Sequence, residues 1–121
     1  MAQWQPTIGK WYDEENYVIR EAPWKQMWYR AAEYEDAKEL QALLIWLNQN
    51  NMHGDLYKEY VIGCFLCRHG MDGEEFPGVY DRLAAEIRSI AAKGRDLNEC
   101  TALVLEKLGV SEAKIEEFLQ R

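Results

Sequence analysis

No stretch of this chain stays apolar for the roughly 20 residues that a bilayer-spanning helix requires. Its start, Met1-Ala2-Gln3-Trp4, lacks the basic residues and apolar core of a secretory leader. Cysteine is scarce and odd in number: three among 121 residues make a poor disulfide framework, which fits a reducing, cytoplasmic setting. Positive charge is the other shortage. Residues 1–50 carry 5 Lys and Arg against 8 Asp and Glu, and residues 51–121 carry 9 against 13, so neither half is basic within a net charge of −7. Nucleic-acid binding draws on clustered Lys and Arg that release counterions from phosphates. Their absence disfavours nucleic acid as a direct partner and favours a protein with a basic surface.

Catalytic signatures are missing as well. There is no GxSxG, HExxH, P-loop or GxGxxG pattern. His53 and His69 have no nucleophile in a recognisable local motif. The sequence therefore reads as a binding protein that is not an enzyme and takes no cofactor.

The length suits a single domain, residues 1–121, with a modest core. Its clearest signal runs from Met27 to Asn51. Met27, Tyr29 and Ala31 alternate with Trp28 and Arg30, as in a strand. From Ala37 the period changes: Ala37, Leu40, Leu43, Leu44 and Leu47 form one helical stripe, closed by Asn48–Asn51 and Gly54. Upstream, Lys10–Tyr12 and Tyr17–Arg20 flank the polar run Asp13-Glu14-Glu15-Asn16, which predicts a hairpin, and Gln26–Ala31 supplies a third strand. Downstream, helices are expected over 55–68, with Leu56, Tyr57, Tyr60, Val61, Cys64 and Cys67 facing inward, from Val79 to near Gly94, over 96–108 behind an Asp96/Glu99 capping box, and after a Ser111 cap. The expected class is α+β: an N-terminal antiparallel hairpin or meander (10–34) packed on about five helices (35–121).

Three sets of residues could carry function. Trp11, Trp24, Trp28 and Arg30, beside Asp13, Glu14 and Glu15, would form an aromatic and acidic contact face on the open side of the sheet. Cys64, Cys67, His69 and Cys100 have the ligand chemistry of zinc, although Cys64-Phe65-Leu66-Cys67 has the apolar flanks of a buried helix and no second CxxC follows. Leu108–Ile115 has the Gly turn and Ser cap of a helix-turn-helix, which makes a DNA-associated regulator over 96–121 the alternative function; yet its second helix offers Glu112, Glu116 and Glu117 against Lys114 and Arg121. A small zinc- or thiol-dependent protein is the second alternative.

The region 10–51, a short hairpin, an aromatic stretch Trp28-Tyr29-Arg30-Ala31-Ala32-Glu33-Tyr34-Glu35-Asp36-Ala37 and a helix ending Trp46-Leu47-Asn48-Gln49, is similar to small accessory proteins of phages and mobile elements, anti-CRISPR proteins among them. The resemblance covers about a third of the chain and implies a catalytically inert, cytoplasmic protein that occupies a surface of a host protein. The expected function is stoichiometric binding to such a partner, as an inhibitor of a nucleic-acid-binding or defence complex. A self-complementary aromatic sheet would equally serve a homodimer.

Overall fold

A computed structural model describes residues 24–52, 54–70 and 83–120 with their side chains and, ahead of them, the backbone of residues 3–5, 10–13 and 17–21. The backbone of β1 (Gln3–Gln5), β2 (Lys10–Asp13) and β3 (Tyr17–Glu21) pairs antiparallel in that order, with Trp4 opposite Trp11, Asp13 opposite Tyr17, and a register shift between Trp11 and Tyr12.

The expectation of an α+β class is overturned. Of the residues described with their side chains, 76% are helical, in six helices and no strand, and the class is all-α. The correction begins at Gln26–Ala31, read above as a third strand. It belongs to α1 (Lys25–Ala31), with Trp24 at its N-cap. Trp24, Met27, Trp28 and Ala31 are buried, which is the i, i+3, i+4, i+7 spacing of one helical face. The alternation of Met27, Tyr29 and Ala31 was incidental, since Tyr29 is exposed.

Helix α2 (Ala37–Gln49) buries Ala37, Leu40, Leu43, Leu44 and Leu47. It ends where Asn51 turns left-handed, at φ 60°. The Met52 amide then donates to the Leu47 carbonyl at 2.8 Å and Met52 folds back into the core. Asn tolerates this conformation better than most residues because its short amide can bond locally. Gly109, at φ 83°, closes α5 (Leu97–Lys107) in the same way, with the Val110 amide on the Leu105 carbonyl at 3.0 Å.

Helix α3 (Asp55–Arg68) is the hub. It packs against α1, α2, α4 (Ala84–Lys93) and α5, and every residue from Lys58 to Leu66 is buried. A helix covered on all sides has no solvent face, and its residues are accordingly apolar from Tyr60 to Leu66 apart from the small Gly63. Leu56, expected inside, lies instead at the exposed start of α3. Helix α4 begins at Ala84, while Val79, its expected first residue, lies outside the described residues. Asp96 caps α5 by accepting from the Glu99 amide at 2.8 Å, and the Glu99 carboxylate reaches back to the Arg95 amide at 2.6 Å. This is a capping box shifted by one residue at its return bond. Ser111 accepts from the Lys114 amide to start α6 (Glu112–Gln120), which seats Phe118 against Trp46, ring centroids 4.9 Å apart.

Candidate functional site

The helical reassignment of residues 24–31 moves two of the anticipated contact residues inside. Trp24 is 0% and Trp28 2% exposed, so neither is part of a surface patch. Arg30 is exposed and paired with Glu33 one turn on. Trp11 and Asp13 lie on β2, their side chains outside the description, and Glu14 and Glu15 lie outside the described residues, as does His53.

The thiol set is unsuited to a metal by its chemistry. Cys64 and Cys100 are buried, and burial pushes both thiols up, away from the thiolate that a metal requires. His69, at the C-terminal end of α3, turns toward the α1–α2 connection. Its ring stacks on Tyr34 at 4.0 Å and lies 4.7 Å from Phe65, with Nε2 3.2 Å from an Asp36 carboxylate oxygen. Among the described residues, no group of three or more His, Cys, Asp and Glu side chains is placed to hold a metal ion. The contact His69 makes is a clamp that ties one turn of the fold to another.

Sequence reasoning missed a polar cluster where α1 meets α3. The Trp24 indole donates to Asp55 at 3.0 Å, and the Lys58 ammonium lies 5.2 Å from the centre of the same Trp24 ring. Lys58 is fully buried and Glu59 1% exposed. Desolvation lowers the Lys58 pKa to about 8, against the opposing pull of Asp55. In the sequence Asp55, Lys58 and Glu59 share the i, i+3, i+4 spacing of one helix face, but a charged face ordinarily meets water, so the spacing does not announce burial. A second polar contact joins α3 to α4. The Tyr60 hydroxyl donates to Glu86 and holds that carboxyl below its ordinary pKa, with Lys107 of α5 adding to the effect from 3.4 Å.

A cleft of about 410 Å³ lies between α2 and the start of α5, lined by Glu39, Ala42, Asp96, Leu97 and Asn98. Each acid has a local duty: Glu39 sits in the first turn of α2 and Asp96 caps α5, where helix dipoles favour negative charge. The two dipole ends contribute roughly +0.5 each. Two full carboxylates outweigh them, so the cleft is a negative cavity. Among the described residues, no basic side chain lines it. The α5–α6 pair does form an αα-hairpin, but α6 shows exposed Glu112, Glu116 and Glu117. Its one described lysine, Lys114, is engaged by Glu117 and by Asn50, each at 3.3 Å. No protein family matches the chain, and neither does any curated protein or solved structure.

Proposed function

We propose that this protein acts by stoichiometric binding to a partner with a basic surface, and that the α2–α5 cleft receives a lysine or arginine side chain of that partner. The observation that carries the reading is the convergence of Glu39 and Asp96 on one concave site in a chain of net charge −7. An arginine entering the cleft would exchange water for charge-assisted hydrogen bonds to a carboxylate, and the surrounding negative potential would speed its approach. A surface that holds nucleic acid is basic, and an acidic domain seated on it would displace the nucleic acid by charge and by volume. Inhibition of such a complex is the activity that follows. The acidic face of α6 supports a protein partner over DNA.

Calorimetric and NMR titration of the full chain with a short lysine- and arginine-rich peptide tests this. One-to-one binding is expected, with shifts concentrated at Glu39, Ala42, Asp96, Leu97 and Asn98. Affinity should fall as salt is raised and drop about tenfold or more in Glu39→Lys, an exposed substitution that leaves the core intact. Binding at several sites, with shifts spread evenly over the acidic residues and no response to Glu39→Lys, would refute the reading.

A further inference from the structure

On another face, where α3 ends and α4 passes, a second cleft of about 350 Å³ has the opposite character. Its described lining is Cys67, Arg68, Gly70, Arg88, Ala91 and Ala92. Arg68 and Arg88 both line it beside the small residues Gly70, Ala91 and Ala92, and no carboxylate contributes among the described residues. In a chain with 21 acidic side chains and 14 basic ones, two arginines sharing a concave site are the reverse of what composition alone would place there.

The geometry points to a binding site for a phosphate group, either the free ion or one carried on a small organic molecule. Each guanidinium presents five N–H donors in a planar fork and stays charged at any working pH. One arginine satisfies a carboxylate bidentately. Two converging on one site match a phosphate, which has more acceptor oxygens and a charge of about −1.5 to −2 near neutral pH. The cleft's volume sits near the lower end of small-molecule pockets, about 300–1,000 Å³, which suits a compact ligand.

The competing account is that Arg68 merely neutralises the C-terminal end of α3. A helix C-terminus carries roughly −0.5 charge, and Arg68 in the last turn is well placed to offset it. That requires one arginine. Arg88 belongs to the middle of α4, away from that helix's own ends, and adds a second full charge, so the described lining retains an excess of about +1.5 over the dipole. The field of Arg68 is also felt inside the bundle, where it counters the upward shift of the Cys64 and Cys100 thiols. Its charge is therefore held close to the fold. The site lies on different residues from the acidic cleft and does not depend on the partner reading.

The test is an NMR titration of the full chain with inorganic phosphate and with a small phosphate monoester such as glycerol phosphate, each against sodium chloride at matched ionic strength. Saturable shifts are expected at Cys67, Arg68, Gly70, Arg88, Ala91 and Ala92, including the guanidinium Nε–H signals. They should weaken about tenfold in Arg88→Gln. Both arginines are exposed, so Arg88→Gln should keep the wild-type amide spectrum. Tighter binding of the monoester would assign the site to an organic phosphate, and equal binding to the free ion. Shifts that chloride reproduces, that spread over all basic residues, or that persist unchanged in Arg88→Gln would overturn the proposal. A second reading uses Cys67, the one half-buried thiol beside two buried ones. Its reaction with an anionic aromatic disulfide should be faster than with a neutral one, and the ratio should fall severalfold in Arg88→Gln. An unchanged ratio would count against a positive cleft.

Discussion

A lysine closed off from water keeps its proton only against the cost of desolvation, and Lys58 meets that cost under the Trp24 ring. Its folded-state pKa of about 8 lies below the unfolded value near 10.4. Between those values the unfolded chain binds the proton and the folded chain does not, so stability rises with pH from about 8 to about 10.4. Below pH 8 both states are protonated and the penalty is constant. The gain across the window is on the order of 2–3 kcal/mol, at about 1.4 kcal/mol per unit of pKa difference. Urea unfolding of the protein and of Lys58→Met at pH 7.5 and again near pH 10.5 isolates the effect, because tyrosines titrate alike in both chains. The difference in stability between the two should change by that amount in favour of the lysine protein as pH rises. A difference that stays constant with pH would show that Lys58 keeps a normal pKa. The Tyr60–Glu86 contact has the opposite sign. A lowered carboxyl pKa supplies stability above the unfolded value that is lost as pH falls through the folded one, so Tyr60→Phe should lessen the loss on acidification.

Between elements, the joint from α4 to α5 leaves no room for a side chain at Gly94. A Cβ placed on Gly94 would stand 2.4 Å from the Cys100 sulfur, closer than atoms pack, and a tight 3.0 Å from its backbone nitrogen. The sulfur belongs to a short buried side chain and the nitrogen cannot yield, so Gly94→Ala should destabilise by about 1–3 kcal/mol, the usual cost of overpacking. Thermal unfolding would register this as a drop of several degrees, whereas Gly70→Ala would strain only a left-handed turn in open space. The capping signals at this joint were legible in the sequence, since Asp96 and Glu99 do what their spacing implies. So was the helical stripe of α2; α3, whose burial takes in every residue from Lys58 to Leu66 rather than one stripe, was still legible as a helix over 55–68. The stretch 24–31 was not. Over so few residues the strand and helix periods overlap. What separated them was Trp24, which completes the helical face with Met27, Trp28 and Ala31 but stands outside the alternating run. The strand reading put Trp28 on a surface, because an alternating pattern assigns one of each pair outward, and Trp24, ahead of the run, was placed beside it.

At the scale of the molecule, the burial of Lys58 and Glu59 could not have been read from the sequence. Whether the charged side of an amphipathic helix meets water depends on how many neighbours the helix has, and α3 has four. The two clefts are of the same kind: Glu39 and Asp96, or Arg68 and Arg88, lie far apart in the chain and meet only through packing. Because α3 touches α1, α2, α4 and α5, its amides from Tyr60 to Leu66 can exchange only when the whole bundle opens. Hydrogen exchange should rank them slowest and leave α6, held chiefly through Phe118 and α5, well ahead of them. Equal rates in α3 and α6 would mean that the hub does not govern the opening.

The same helix sets a problem during synthesis. When Arg68 leaves the ribosome, the apolar run Tyr60–Leu66 has α1 and α2 to lean on, but α4 and α5 are not yet made. At about 5–20 residues per second, the chain through the end of α5 takes roughly 2–8 s to follow. For those seconds the nascent protein carries an uncovered sticky side, which is the kind of segment that chaperones hold. Ribosomes stalled after α3 should therefore carry bound chaperone, and ribosomes stalled beyond α5 should have released it.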